Sequence, residues 1–343
     1  MTSTPWHLPP EDLSDSVRNS ATDLERWRGS RVLVTGGTGF LGSWLVASLI
    51  RANQVSNLEL QVDLVTRSPR TVPPSVQSEV RVIDSDVSVM APVVGEYSLI
   101  VHGAASSAAS YGSGDGDPRH MVRTILDGTK AALEVAARTR ARVLFLSSGA
   151  VYGQQLTSEV AEDDTTGPDV LNPRMAYGEA KRMAETLCAV ATAAGEAVVS
   201  VARLFAFVGP RIPLDGHFAA GNFLADALAG RPIRVAGDGT AVRTYLYCGD
   251  LPEWCWAIAA RGRPAAAYNV GSSVPVSIAG LAELIGGLVS PTLPVHILGE
   301  ASSEPASRYV PSTELAAAEL GLMVRTDLPT AFGKSLRWLR DHS

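Results

Sequence analysis

Apolar positions along the chain fall into two recurring textures. Short runs of β-branched and aliphatic residues occur at Arg31–Thr35 (RVLVT), Gln61–Thr66 (QVDLVT), 80–83, 98–102 and 143–146. Runs of this length with little polar alternation predict strands covered on both faces, as in a parallel sheet. Between them apolar residues recur at helical spacing. Residues 44–50 (WLVASLI) follow the first run, and Ile125, Leu126, Ala131, Leu133 and Val135 mark a helix within 121–138. Strands alternating with helices predict a doubly wound α/β fold with helices on both faces of the sheet. Residues 268–272 (YNVGS) read as a late, short strand leading to a helix at 278–288. Residues 1–28 precede the first strand and read as one or two short helices, with Ser14, Ser20 or Thr22 available as caps. This extension is expected to pack on the outside or on a partner subunit.

Composition narrows the class. With 343 residues, 46% hydrophobic and 19% charged, the chain can bury a sizeable core. A net charge of −6 gives no global electrostatic reason to bind nucleic acid. No apolar run approaches the roughly 18–20 residues of a membrane span, and the start MTSTPWHLPPEDL lacks a basic region and an apolar core. No membrane association or signal peptide is therefore expected. Cys188, Cys248 and Cys255 have neither metal-ligand spacing nor nearby histidines. No metal site is expected, and reduced thiols in a cytoplasmic protein are.

Candidate chemistry begins directly after the first strand, where Gly36, Gly39 and Gly42 lead into a helix. Strand, glycine turn and helix together indicate a dinucleotide site: the backbone approaches a pyrophosphate whose charge suits a helix N-terminus. The second strand ends Thr66-Arg67-Ser68. An arginine there can meet a 2′-phosphate, stack on adenine or sit in solvent, so NAD and NADP are about equally compatible. Asp84 and Asp86 lie just beyond the third strand, and the small residues of GAASSAAS (103–110) beyond the fourth. Both are places where ligands collect in such sheets. The fifth strand runs into SSGAVYG, and Tyr177 and Lys181 follow one helical turn apart, on one helix face. A phenol is a poor base near its ordinary pKa of about 10, and a neighbouring cation favours its ionised form. A serine hydroxyl beside them completes a proton-handling site.

With these motifs the chain resembles the extended short-chain dehydrogenase/reductases, specifically the NAD-dependent nucleoside-diphosphate-sugar epimerases, dehydratases and decarboxylases. The similarity runs from about residue 31 to the C-terminus. It implies a Rossmann-type sheet over 29–205 with returns near 240–275. A smaller sugar-nucleotide lobe would comprise 206–240 and 276–343, behind the N-terminal extension of 1–28. It implies Ser148, Tyr177 and Lys181 as catalytic residues, and Gly36, Gly39, Phe40, Leu41, Gly42, Arg67, Asp86, Val87 and Ala104 as further cofactor contacts. Substrate contacts would come from Ser148, from Asn222 and Arg243 at the phosphates, and from Arg308. The implied partner is a nucleoside-diphosphate sugar, oxidised at C4. Members that eliminate water carry an acid pair after the catalytic Ser or Thr, whereas this chain has Gly149-Ala150. Dehydration is thereby disfavoured, since neither residue transfers a proton, and decarboxylases of the group usually keep one carboxylate at these positions too. The motifs NPRMAYGEAKRMAE and GNFLADAL look closest to the uronate decarboxylases, ahead of 4-epimerases and 4-ketoreductases. The reading from a different class is a non-catalytic dinucleotide-binding sensor. A homodimer is expected through the helices at 121–138 and 181–193, on faces holding Ala131, Ala132, Ala136, Ala137, Ala184, Ala189 and Ala193.

Overall fold

The computed structural model describes residues 5–90, 95–105, 117–155, 157–214, 216, 218–300 and 305–342. Seven strands share one sheet: β1 (Arg31–Thr35), β2 (Gln61–Thr66), β3 (Arg81–Asp84), β4 (Leu99–His102), β5 (Arg142–Ser148), β6 (Val198–Leu204) and, much later, β11 (Ala267–Val270). Their spatial order is β11-β6-β5-β4-β1-β2-β3, and every neighbouring pair is parallel. The run read at 268–272 is thus the far edge of the main sheet. Chain order reverses between β1 and β4, which opens a crevice beyond the carboxyl ends of those strands.

Helices cover both faces. α5 (Pro118–Thr139) and α6 (Ala176–Ala193) pack on one face, where Met121, Ile125, Ala180 and Ala184 join Leu33, Ile100 and Phe145 in a single core. α3 (Phe40–Ser56) and α8 (Leu251–Arg261) cover the other. Every residue of α8 up to Ala260 is buried, as a helix apolar on all sides requires. Trp256 Nε1 donates to Ser48 Oγ at 3.0 Å, which pins α8 to α3.

The remaining strands are short and form three smaller sheets. β7 (Phe207–Val208) pairs with β10 (Leu246–Tyr247), and β8 (Ile233–Val235) with β13 (Val295–Ile297). β9 (Val242–Arg243) lies between β12 (Val276–Ser277) and β14 (Arg308–Tyr309). Among the described residues no helix is long and apolar enough to cross a membrane.

Two expectations change. Residues 10–19 and 21–25 do form two helices, α1 and α2, but they are not an outer appendage. Leu8, Leu13 and Leu24 are completely buried in the core that holds α3 and α8. Tyr247 donates to Asp12 Oδ2 at 2.6 Å, and Lys334 pairs with Asp12 as well, so the extension is tied to the C-terminal helix α11 (Leu328–His342). None of the three residues read as caps makes a side-chain capping bond. Pro9 caps α1 without a side-chain bond, Ser20 precedes α2 but donates to Ser16 O, and Ser14 donates to Pro10 O. Second, Ala132, Ala136 and Ala184 are buried within the chain itself. They pack helix against sheet and cannot form an outer face; that face instead carries Ala137, Ala189, Ala193, Met183 and Val190.

Candidate active site

The turn after β1 is shaped by close backbone contact. A Cβ at Gly36, where φ is +75°, would stand 2.6 Å from the Gly103 carbonyl, and one at Gly42 would stand 2.2 Å from Gly36 O. Neither position admits another residue without moving the turn. Gly39 is exposed and opens α3 without a side-chain cap. The first-turn N–H groups, those of Phe40 and Leu41 among them, therefore remain available to an anion. Arg211, which the sequence reading did not single out, donates from Nη2 to Thr38 O at 3.3 Å. Its Nη1 is buried without a partner, and burial holds its pKa down to about 10. An uncapped helix end, a turn that excludes side chains and an orphaned guanidinium nitrogen fit a dinucleotide pyrophosphate.

Just beyond β3, Asp86 Oδ1 accepts from Ser88 N at 2.8 Å and Ser88 Oγ at 2.7 Å. These bonds hold its carboxyl below the usual carboxylate range. Arg67 Nη1 lies 3.7 Å from Asp86 Oδ2 and 3.4 Å from His120 Nε2. Val87 is buried against Gly128, and Ala104 N donates to Thr35 Oγ1 at 3.2 Å. Residues 106–110 of the small-residue stretch lie outside the described residues.

At the carboxyl end of β5, Ser148 caps a short turn by accepting from Ala150 N at 3.2 Å. α6 lies tightly over that turn, for a Cβ at Gly178 would stand 2.5 Å from Ala150 O. The helix thereby brings Tyr177 and Lys181 to the strand end. Burial raises the Tyr177 phenol, and the facing Ser148 hydroxyl opposes the rise. Lys181 is only 3% exposed; its Nζ donates to Leu146 O at 2.7 Å and lies 4.9 Å from the Phe145 ring centroid. Burial lowers its pKa to about 8. The lysine is thus held by a backbone carbonyl of β5, and the hydroxyl that eases ionisation of the phenol here is that of Ser148.

Behind this group lies a buried polar network absent from the sequence reading. Ser147 Oγ donates to Glu185 Oε1 at 2.6 Å, and Arg203 Nη2 to Glu185 Oε2 at 2.8 Å. Arg203 Nη1 also donates to Tyr152 OH, which donates to Asn269 Oδ1 at 2.7 Å. These contacts join β5, β6, β11 and α6 directly beneath the serine turn.

The remaining sequence-derived residues divide. Arg243 is half-buried beside Tyr245 and Tyr309, and its guanidinium donates to Val242 O, Ser307 O and Ser307 Oγ. Arg308 pairs with Val242 in the β9–β14 ladder, and Tyr309 with Arg243. Side chains alternate along a strand, so Arg308 is turned away from Arg243. Its Nε donates to Ser158 O at 3.0 Å. The structure does not bring it to the group around Ser148, and the residue that arrives there is Tyr309. Asn222 is exposed on α7 (Ala219–Leu228) and donates to Gly216 O at 3.0 Å.

Comparison with known proteins agrees with this geometry. Residues 32–271 match the model of the NAD dependent epimerase/dehydratase family. The chain is 30% identical over 312 residues to a Xenopus tropicalis protein named UDP-glucuronic acid decarboxylase 1, covering 90% of this chain and 72% of that protein. It is 28% identical over 300 residues to UDP-glucuronic acid decarboxylase 6 of Arabidopsis thaliana, covering 87% and 85%. Among solved structures it resembles MoeE5 in complex with UDP-glucuronic acid and NAD. The TM-score is 0.76 at 26% identity, with 91% of this chain and 100% of that one covered.

Proposed function

The chain belongs to the NAD-dependent epimerase/dehydratase family, and from that premise we propose that it oxidises C4 of a nucleoside-diphosphate uronate and decarboxylates the product. One observation carries the reading: Ser148, Tyr177 and Lys181 meet at the end of β5, next to a turn shaped for a pyrophosphate. The relatives named UDP-glucuronic acid decarboxylase and the MoeE5 complex support a uronate as substrate.

When bound, NAD supplies a hydride acceptor at C4 that can also return the hydride. Tyr177 takes the proton of the C4 hydroxyl, and Ser148 donates a hydrogen bond to the same oxygen. The Ser148 hydroxyl also eases ionisation of the Tyr177 phenol, and Lys181, held on the Leu146 carbonyl, keeps a buried ammonium one helical turn away. The resulting 4-ketone of a uronic acid is a β-keto acid. Its C5–carboxyl bond breaks with release of carbon dioxide, the electron pair moving toward the C4 oxygen, where Ser148 and protonated Tyr177 stabilise the developing charge, and C5 of the enolate then takes a proton from solvent. Arg243 receives the diphosphate through charge-assisted bonds in this reading.

Gly149 and Ala150 favour a second reading, 4-epimerisation of the same uronate, because inversion at C4 needs no acid or base beyond Tyr177 and Ser148. The same two residues count against dehydration. Incubation with UDP-glucuronate and NAD, followed by chromatography and mass spectrometry of the nucleotide sugar, separates the outcomes. A nucleotide pentose supports decarboxylation, and an isomer of unchanged mass supports epimerisation. Recovery of unaltered UDP-glucuronate at high enzyme concentration refutes both.

A further inference from the structure

Gly149 is the residue at which a proton-transferring side chain would follow the catalytic serine, and the space beside it is filled from another part of the chain. A Cβ at Gly149 would stand 2.7 Å from Tyr309 OH and 2.7 Å from Phe205 Cζ. Tyr309 comes from β14, and its ring packs on Phe205 with centroids 4.6 Å apart. Ladder register puts it on the same face as Arg243. Its hydroxyl faces Ser148 and neighbours Tyr177. Tyr309 therefore lies between the residues at C4 and the arginine at the diphosphate, along the line a sugar must occupy.

We propose that Tyr309 contacts the sugar and makes the site select a carboxylate over a hydroxymethyl group at C5. The inference rests on the C4 chemistry proposed above. A group beside Ser148 reaches substituents on the carbons flanking C4, and the carboxyl of a uronate is attached to one of them. Three features suit that anion. Gly149 and Ala150 put no charge beside it, Arg243 adds a positive charge on the same face, and Tyr309 offers a neutral donor. Burial keeps its phenol protonated by pushing its pKa well above the ordinary value, with Ser148 and then Arg243 opposing. Hydrogen bonds to a charged group contribute more than those to a neutral one, so removing the phenol oxygen penalises the uronate more than the neutral sugar.

The test is calorimetric titration of the NADH-saturated protein, which has no hydride acceptor and so reads binding alone, with UDP-glucuronate and with UDP-glucose, for the wild type and Tyr309→Phe. Phenylalanine keeps the packing on Phe205, and a thermal melt of each protein checks that the fold persists. The wild type should bind UDP-glucuronate more tightly, and Tyr309→Phe should cut that preference about tenfold. Gly149→Ala, whose methyl would press on the phenol, should reduce the same preference in a protein that retains Tyr309. A wild type without preference, or a preference untouched by Tyr309→Phe, overturns the inference. If UDP-glucuronate binds with a Tyr309-dependent preference but is never converted, the proposed reaction fails and the selectivity role stands.

Discussion

His102, at the end of β4, should make the fold sensitive to mild acid. The Thr35 hydroxyl accepts from Gly103 N and Ala104 N, both at 3.2 Å, so its own proton goes to His102 Nδ1 at 2.8 Å. His102 Nε2 then carries the ring proton and donates to Thr129 Oγ1 at 3.2 Å, and Thr129 passes its proton to Ile125 O. The ring is 2% exposed and stacks on Phe145, with the Lys181 ammonium nearby. Burial first, and Lys181 second, lower its pKa from 6.5 to about 3. Between those values the unfolded chain binds a proton that the folded chain refuses, so stability falls as pH falls. From pH 7 to pH 5 the loss from this one group is about 2 kcal/mol. Urea unfolding followed by circular dichroism at pH 7, 6 and 5 measures it for the wild type and for His102→Asn. Asparagine keeps an acceptor for Thr35 but does not titrate. The variant should be less stable at pH 7, by about 1–3 kcal/mol for the lost ring volume and the Thr129 bond. That deficit should shrink by about 2 kcal/mol at pH 5, and taking the difference removes carboxylates common to both proteins. Stability curves that stay parallel across this range would refute the assignment of a neutral, two-sided histidine.

Tyr177→Phe should lower turnover of UDP-glucuronate by roughly 10²–10⁴-fold, while NAD affinity measured by fluorescence titration stays within a few-fold of wild type. Gly42→Ala would set a methyl 2.2 Å from Gly36 O; it should abolish measurable NAD binding, and retained binding would show that the turn can relax. Arg67 is already engaged with Asp86 at 3.7 Å, and that carboxylate is a poor neighbour for a 2′-phosphate. Arg67→Ala should therefore weaken NAD and NADP similarly in paired titrations, and a far greater loss for NADP would assign it to the phosphate. Light scattering at micromolar concentration should give about twice the 36.1 kDa chain mass, through the exposed Ala137, Ala189, Ala193, Met183 and Val190; a monomer mass removes the dimer.

The sheet was legible because its strands are nearly continuous apolar runs. β1 and β2 match their sequence limits, and β3, β4 and β5 differ only at their ends. A strand buried on both faces leaves little ambiguity. Residues 1–28 misled because their pattern is amphipathic and short, which looks the same whether the apolar face meets this chain or another. Asp12 is paired with Lys334 and Tyr247 from the opposite end of the sequence, a placement no local pattern encodes. The alanines of α5 and α6 failed for a related reason. Alanine permits close approach on any side of a helix, so composition does not tell an inner face from an outer one, and Ala132, Ala136 and Ala184 are inner.

Within the site, the positions fixed by local geometry were readable and those fixed by strand register were not. Tyr177 and Lys181 lie one helical turn apart, so their spacing puts them on one face, and Ser148 at the strand end was legible through the family resemblance. Arg308 and Tyr309 are neighbours in sequence, but one strand step reverses the direction of the side chain. Which of them faces the serine depends on β14 pairing with β9 from a distant part of the chain, and that pairing selects Tyr309. The same register explains Gly149. In sequence it appears as a lost acid, a deficit. In the fold its missing side chain is what lets the Tyr309 hydroxyl stand beside Ser148. A carboxylate at 149 and a phenol at 309 would compete for one space, so a change at either position should be tolerated best when the other changes with it. Tyr309→Ala combined with Gly149→Glu should accordingly be more stable to heat than Gly149→Glu alone, and an equal or lower melting temperature for the double variant would show that the two positions do not share that space.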